Sequence, residues 1–269
     1  IWMCLFIKII KRLVVQIEKS SLSVDLVSYS VLCVSVLVLI LRKFVNKIRL
    51  MMRIILWIIC MVLMTSFSHA NTDYFSETKL SLKEKSIISI ASLTAKGDLT
   101  LLKPSLYEAL DAGLTVNEAK EVLVHLYAYC GFPRSIRGLQ TLMEVLEDRK
   151  AKGIKDELGK DASPIHEENS KYERGKKNLS RLTLTPQPDN LSGYGAFAPV
   201  IDTFLKEHLF ADIFERDVLT FQERQLVTIA VLSTIGNTEP MLRSHLTICL
   251  NVGHNPIKLR EFVDIIRTT

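Results

Sequence analysis

One stretch of the sequence, residues 219–253, decides the fold: LTFQERQLVTIAVLSTIGNTEPMLRSHLTICLNVG. Glu223 and Arg224 open an apolar run with helical spacing. Arg243 and His245 lie in a second run, which ends at a glycine. Apolar residues at this spacing are typical of amphipathic helices that bury one face. The stretch therefore predicts two packed helices that bring an acid–base pair and a histidine into one unit.

A weaker copy of this stretch begins upstream at Leu80 and reads LSLKEKSIISIASLTAKGD. Self-similarity of this kind indicates a duplicated structural unit. With one residue inserted in the second copy, the matched pairs are Leu80 and Leu219, Glu84 and Glu223, Lys85 and Arg224, Ile90 and Ile229, Ala91 and Ala230, Gly97 and Gly236, Gly113 and Gly253, and Glu121 and Glu261. Ser105 stands where the second copy has its histidine. We therefore expect the first copy to be a structural partner without the same chemistry.

Helix starts are marked by a serine or threonine followed three residues later by glutamate, which is the capping-box pattern. The pairs are Ser81 with Glu84, Thr115 with Glu118, and Thr220 with Glu223. Further helices are predicted over 199–214 and from Pro256 to the end, with a break at 130–133. No stretch shows sustained period-two alternation of strand type. The sequence predicts an all-α fold of two tandem helical repeats.

Composition divides the chain into segments. Residues 71–149 hold the first predicted repeat, and residues 191–269 hold the second, which lacks the tail of the first. Between them, residues 150–190 are rich in charge, glycine and proline. Such composition favours a solvated, partly mobile linker. We expect at most one short helix in it, over 164–179.

The front end resembles a targeting segment. Residues 51–70, MMRIILWIICMVLMTSFSHA, combine a short positive start, an apolar core and small residues before a cut after Ala70. The alternative is a membrane anchor, but an apolar core of about 14 residues is short of the roughly 20 that span a bilayer. We expect a signal peptide, export to the periplasm, and no stable anchor after cleavage. Residues 1–50 are expected to be an untranslated or non-native leader, with an extra membrane segment as the alternative.

Net charge depends on that front end. The whole chain has a formal charge of +5, but residues 71–269 contain 25 Lys+Arg and 27 Asp+Glu. The basic balance therefore belongs to the leader and gives no support for nucleic-acid binding. The 199 residues that remain suit one compact domain or two fused repeats.

Two cysteines, Cys130 and Cys249, lie after residue 70. They could form a disulfide in an exported protein, but both lie in apolar helical contexts, where a buried free thiol is common. Their spacing matches no zinc or redox motif. No pair of histidines has metal-ligand spacing, and no glycine-rich phosphate loop is present. We predict no metal and no cofactor.

Several motifs together resemble the carboxymuconolactone decarboxylase family, within the alkylhydroperoxidase-like superfamily. In the second half these are FADIFER ending at Arg216, the Glu223–Gly236 helix, and LRSH followed by LNVG. The first copy adds Glu121 and the run YAYCGFP at 127–133. The resemblance implies a tandem alkylhydroperoxidase-like helical fold and a small-molecule substrate. It also implies a homo-oligomer, since relatives form trimers of two-repeat units or hexamers of single ones.

In the peroxidase branch of the superfamily, a helix with a glutamate is followed by the motif Cys-x-x-Cys-x-x-x-His. The histidine of that motif lies eight residues before a glycine. His245 and Gly253 keep that last spacing, but the turn before them reads TIGNTEP and has no cysteine. Disulfide-based peroxide reduction needs a reactive thiolate with a resolving thiol. A one-cysteine peroxidase that uses Cys130 remains the alternative.

The decarboxylase branch implies acid–base chemistry without a cofactor. Loss of CO2 beside a lactone carbonyl leaves an enolate-like charge that a donor must neutralise before carbon is protonated. We expect His245 to be the proton donor and Glu223 to orient it. The resemblance and the charge pattern make Arg243, Arg224 and Arg216 candidates for holding substrate carboxylates.

Each candidate also has a structural interpretation. Glu223 and Arg224 could only cap and decorate a helix start, and a lone histidine is often a satisfied polar residue. His125 could face the same cleft, although a core or surface position is the simpler expectation. The remaining alternative is a non-catalytic binding or scaffold protein that kept the fold.

Overall fold

The computed structural model describes residues 44, 48, 51–59, 61, 79–165 and 168–269. The chain divides into two compact units, Ile1–Asn71 and Thr72–Thr269. In the first unit residues 51–59 are helical. The predicted cleavage position after Ala70 lies outside the described residues. No helix in the described part of the chain is both long and apolar enough to cross a bilayer.

All the regular secondary structure described in the second unit is helical. Its helices are α1 (Leu82–Lys96), α2 (Leu99–Asp111), α3 (Val116–Ala151), α4 (Lys171–Thr183), α5 (Gly193–Phe197), α6 (Pro199–Thr203), a π-helix (Phe204–Ile213), α7 (Phe221–Ile235), α8 (Glu239–Asn251) and α9 (Pro256–Thr268). No β-strand occurs in the ranges that the structure describes. The predicted all-α fold is confirmed.

All three predicted capping boxes form. In each, the hydroxyl of the cap residue accepts the backbone N–H of the glutamate, whose carboxylate in turn accepts the backbone N–H of the cap residue. These contacts satisfy two amide groups that would otherwise lack a partner at each helix start. The beginnings of α1, α3 and α7 are therefore fixed by local sequence.

The predicted break at 130–133 lies inside α3. Gly131 has φ 79° and ψ 162°, while the residues around it are helical. A side chain strongly disfavours this backbone conformation, and the proline at 133 cannot donate to a preceding carbonyl. The glycine therefore turns α3 between its first half, which carries Glu121 to Cys130, and its second half, which buries Leu142 and Val145 on one face.

The main hydrophobic core lies between the two predicted repeats. Helix α1 packs against α7, α3 packs against α7, and α9 packs against α1. Fully buried side chains at this junction include Ile87, Ile90, Leu226 and Ile229. Because the starts of the two copies bury their apolar faces against each other, neither copy has a separate core of its own here.

Two ion pairs occupy positions that the repeat alignment matches. Arg224 pairs with Glu121 at 2.7 Å, and Lys85 approaches Glu261 at 3.7 Å. In the alignment Lys85 corresponds to Arg224, and Glu121 corresponds to Glu261. Each pair joins an early helix of one copy to a later helix of the other. These contacts support a duplicated unit, while the tandem repeat itself stays a prediction.

The segment expected to be a solvated linker contributes a second core. Helix α4 begins after Ser170, whose hydroxyl accepts the N–H of Glu173, and it packs along the π-helix. Leu182 is fully buried there with Phe210 and Phe214. The sequence-based expectation missed this packing because the charged face of α4 dominates its composition, whereas its narrow apolar face decides its position.

The expected helix over 199–214 is α6 followed by the π-helix. Gly175 of α4 lies directly on this segment, since a Cβ atom added there would stand 1.7 Å from the carbonyl oxygen of Lys206. The Lys206 ammonium is buried and binds Asp202 at 2.8 Å and the Tyr172 hydroxyl at 2.9 Å. A close helix contact and a buried ion pair thus hold α4 against the π-helix.

Candidate functional site

A buried carboxylate–guanidinium cluster lies where α3 meets α7. Glu121 Oε1 accepts a hydrogen bond from Arg224 Nη2 at 2.7 Å, and the two side chains are 3% and 0% exposed. Arg216 adds Nε at 3.0 Å from both carboxylate oxygens of Glu121. One carboxylate is therefore shared by two guanidinium groups, which leaves the cluster with a net positive charge.

Helical spacing brings these groups together. Glu121, His125 and Tyr129 follow each other at intervals of four on α3, so they share one face of the helix. Arg224 and Thr228 have the same spacing on α7. The cap at Thr220 fixes where α7 begins, and thereby the height at which Arg224 meets Glu121.

His125 continues the cluster inward. Its Nδ1 lies 3.2 Å from Arg224 Nη1, and its Nε2 lies 3.0 Å from Thr228 Oγ1. A guanidinium can only donate, so Nδ1 accepts and Nε2 carries the proton that is donated to Thr228. Burial, then the charge of Arg224, lowers the pKa of His125 well below its usual value. His125 is therefore a neutral histidine of the core. A core or surface position was the simpler of the two expectations from the sequence.

Thr228 joins this cluster to Tyr129. Its hydroxyl donates to the carbonyl of Arg224 at 2.9 Å and lies 3.2 Å from the Tyr129 hydroxyl. Since the single threonine proton points to the carbonyl, the tyrosine hydroxyl donates to Thr228. Burial raises the pKa of Tyr129 to about 12, so this phenol stays protonated at neutral pH.

His245 lies on α8 beyond Tyr129, whose ring it meets edge-on at a centroid distance of 6.5 Å. Its Nδ1 is 2.8 Å from Oε1 of the buried Gln225. A carboxamide oxygen accepts, so Nδ1 carries the proton and Nε2 has the lone pair. Burial lowers the pKa of His245 to about 4. This half-buried imidazole is therefore neutral at neutral pH.

Glu223, expected to orient His245, has other partners. It closes the capping box with Thr220, and its second carboxylate oxygen binds Lys83 at 2.8 Å. No hydrogen bond joins it to His245 within the described ranges. The group that orients the imidazole is Gln225, two residues later in the same helix.

The three arginines expected to hold substrate carboxylates lie in different environments. Arg224 is fully buried and its guanidinium binds Glu121, His125 and the carbonyl of Arg216. Arg216 binds Glu121 but keeps 42% of its side chain exposed. Arg243 is exposed on α8, the helix that carries His245. Arg216 and Arg243 are the two that a solute can reach.

Neither cysteine has the environment of a reactive thiol. Both are free. Cys130 donates to the carbonyl of Leu126 at 3.2 Å, and burial raises its pKa to about 11. Cys249 is fully buried, and burial raises its pKa to about 12. A thiol that stays protonated at neutral pH is a poor nucleophile.

A cleft of about 520 Å³ opens beside Arg216. Its walls come from α4, from the turn between the π-helix and α7, and from Pro164 and Ile165. Its lining does not include His245, Glu223 or Cys130. In the described part of the chain, no group of three His, Cys, Asp or Glu side chains could hold a metal ion.

Sequence reasoning did not single out Gln225 and Thr228, and it cited Glu121 only in the repeat alignment and in a family motif. The spacing of Glu121, His125 and Tyr129 could have revealed the cluster, because three polar groups on one face of an apolar helix need buried partners. Nothing in the sequence points to Gln225.

Comparison with known proteins shows a family similarity over part of the chain. Residues 63–143 match the model of the carboxymuconolactone decarboxylase family. That range covers most of the first predicted copy, including Glu121, His125 and Tyr129 on α3. Residues 63–143 are therefore similar to the carboxymuconolactone decarboxylase family, and the all-α fold is consistent with that similarity.

A curated relative is an uncharacterized protein of Methanocaldococcus jannaschii. It is 27% identical over 77 residues, which cover 29% of this chain and 72% of the relative. The predicted second copy, with Arg224 and His245, lies outside the residues matched by the family model.

Proposed function

We propose that this protein is a cofactor-free acid–base enzyme of the lyase type, acting on a small carboxylated or lactone substrate. The observation that carries the proposal is the contact between His245 Nδ1 and Gln225 Oε1 at 2.8 Å. It holds a neutral imidazole in one tautomer, with the lone pair of Nε2 bonded to no described residue. A base fixed in this way resembles the oriented histidines of acid–base enzymes.

His245 acts here in a different role from the one expected from the sequence. With a pKa of about 4, the imidazole is unprotonated at neutral pH and enters the reaction as a base, not as the proton donor expected from the sequence. It accepts the proton of a substrate carboxyl group. The bond between that carboxyl and the neighbouring carbon then breaks, CO2 leaves, and the electron pair passes into an enolate of the adjacent carbonyl group. The imidazolium returns the proton to that carbon. An imidazolium with a low pKa donates its proton readily, but the corresponding neutral imidazole is a weak base.

Two neighbouring residues complete the proposed site. Tyr129 meets the ring of His245 edge-on and forms one wall beside the imidazole, while its hydroxyl stays bonded to Thr228. Arg243 lies exposed on the same helix as His245 and offers a guanidinium to a substrate carboxylate. Both assignments depend on a substrate approaching His245 from its exposed side.

The test is the pH dependence of turnover on a panel of small lactone carboxylates, followed by CO2 release and loss of the lactone absorbance. We expect kcat/KM to rise as pH increases through about 4 and then to stay level, because the base must be neutral. Gln225→Glu places a carboxylate beside the ring, which stabilises the imidazolium and moves this acidic limb to higher pH. A limb that stays in place would refute the assigned contact.

His245→Gln serves as the loss-of-function variant, and His208→Gln is its matched control. His208 is an exposed histidine of the π-helix that pairs with Asp212 at 3.1 Å. We expect the first variant to lose at least about 100-fold in kcat/KM, as general bases typically contribute 10²–10⁴-fold, and the second to be unchanged. Equal activity of both variants would exclude His245 as the base.

The alternative of a one-cysteine peroxidase has less support, since burial raises the pKa of Cys130 to about 11. Hydroperoxide turnover that disappears in Cys130→Ser would favour it over the acid–base proposal. The scaffold alternative would be favoured if no substrate of the panel is turned over and if none binds.

Three further features remain proposals. The sequence supports a tandem repeat. It also supports export with cleavage after Ala70, which N-terminal sequencing of the secreted protein tests. Exposed apolar residues on the second half of α3, including Phe132, Ile136 and Met143, support a homo-oligomer of the trimer or hexamer type. Light scattering of the purified protein tests that assembly.

A further inference from the structure

The cleft beside Arg216 is lined by basic and aromatic side chains and has no role in the chemistry proposed for His245. Its volume of about 520 Å³ lies in the range of small-molecule sites. Two arginines line it, Arg181 from α4 and Arg216 from the turn before α7. The acidic side chains on its wall are Glu215 and Asp217.

Both carboxylates are engaged by other groups. Glu215 binds Arg174 Nε at 3.1 Å and lies 3.3 Å from Asn178 Nδ2. Asp217 accepts the backbone N–H and the hydroxyl of Ser163 at 2.8 and 2.9 Å. These bonds lower the pKa of Asp217 to about 2, so the carboxylate is ionised at neutral pH. The hydrogen bonds from Ser163 stabilise its charge. Neither carboxylate forms a hydrogen bond or an ion pair with Arg181 or Arg216 among the described residues, and Asp217 acts on Arg216 only through space.

The two arginines retain capacity for an anion. Arg216 uses Nε and Nη2 on Glu121, while Nη1 has no hydrogen bond to a described residue. Glu121 is also shared with Arg224, so its single charge does not balance both guanidinium groups. Arg181 forms no ion pair in the part of the chain that the structure describes, and its guanidinium lies 5.2 Å above the ring of Phe221.

The rest of the lining is apolar. Phe214 and Phe221 form a tilted aromatic pair with ring centroids 6.1 Å apart, and Ile165 and Leu219 add aliphatic surface. An anion alone would use only the arginines, whereas the aromatic wall favours a flat apolar body beside them. A guanidinium stacked on a ring is also well placed to donate two parallel hydrogen bonds to a carboxylate.

We propose that this cleft binds a small organic carboxylate with a flat apolar or aromatic body. The carboxylate is held by Arg181 and by Nη1 of Arg216, and the body lies against Phe221. The site is separate from His245, and its occupancy does not depend on the acid–base chemistry proposed above.

Isothermal titration calorimetry with benzoate tests this site, with benzamide and acetate as comparison ligands. Benzoate should bind more tightly than both, because benzamide lacks the charge and acetate lacks the ring. Arg181→Gln is the chosen variant, since it removes a charge without taking an ion-pair partner from any described residue. A charge-assisted hydrogen bond contributes on the order of 1.5–3 kcal/mol, which predicts a loss of about 10- to 100-fold in affinity.

The matched control is Arg137→Gln, an exposed arginine on the second half of α3 that contacts Gln140 and does not line the cleft. It should leave benzoate binding unchanged, as should His245→Gln. Equal affinity for benzoate and benzamide, or an unchanged affinity in Arg181→Gln, would overturn the proposal. Loss of binding in His245→Gln would also overturn it, because the ligand would then occupy the catalytic region.

Discussion

Replacing Glu121 with leucine is the most direct perturbation of the buried cluster. Arg224 is 0% exposed and would keep only neutral acceptors, the carbonyl of Arg216 and His125 Nδ1. Removing one partner of a buried ion pair costs about 3–5 kcal/mol, because the other charge stays desolvated and uncompensated. We expect Glu121→Leu to lower the free energy of unfolding by that amount.

The complementary variant Arg224→Leu should be milder. Glu121 would still bind Arg216, which lies 3.0 Å away and is 42% exposed, so the carboxylate would keep a cation. The loss is then mainly that of acceptors left without a donor, about 1–3 kcal/mol. The double variant should be less destabilised than the sum of the two, with a coupling energy near the upper end of about 0.5–3 kcal/mol.

Urea denaturation and calorimetry of the protein without its first 70 residues measure these differences. For a domain of this size each kcal/mol lowers Tm by about 2–4 °C, so Glu121→Leu should lose roughly 6–20 °C. Asp189→Asn, which removes an exposed partner of Lys176, is the control and should melt with the parent protein. If Glu121→Leu lost less than about 1 kcal/mol, or if Arg224→Leu were the more damaging variant, the reasoning about the buried charge would be wrong.

Three other predictions follow from single residues. Gly131→Ala should destabilise the protein by about 1–3 kcal/mol in urea denaturation, because φ 79° with ψ 162° is a conformation almost confined to glycine. An unchanged stability would show that the chain does not need this conformation at residue 131. The pKa of His245 falls from 6.5 to about 4 on folding, so the unfolded chain binds the proton first. Stability should therefore drop as pH decreases from about 6.5 through 4, by about 3 kcal/mol, and His245→Gln should remove that part of the dependence. Cys130 should react slowly with a thiol reagent at pH 7 and faster as pH approaches 11, measured in Cys249→Ala protein; rapid reaction at pH 7 would restore the peroxidase alternative.

Local sequence was a reliable guide to where helices begin. The three predicted capping boxes, which begin at Ser81, Thr115 and Thr220, all form, because a capping box involves only neighbouring residues. The break at Gly131 was predictable for the same reason. By contrast, the packing of α4 on the π-helix depends on side chains such as Leu182 and Phe210, which are 28 residues apart in the chain.

The candidate site shows the same division. Sequence directed attention to His245 and to Glu223, whose cap role was one of its two expected interpretations. It did not show that Gln225 holds the imidazole, since a glutamine inside an apolar helix has no local signature.

What the sequence by itself determined is the all-α class, the helix starts and the family resemblance, because periodicity and capping are encoded over three to eight residues. Only the tertiary structure decided which charges meet. Glu121 and Arg224 are 103 residues apart, and whether each is a solvated surface charge or half of a buried pair depends on the packing of α3 against α7. The protonation state of His245 was decided in the same way, because burial and one carboxamide from α7 set its pKa and its tautomer.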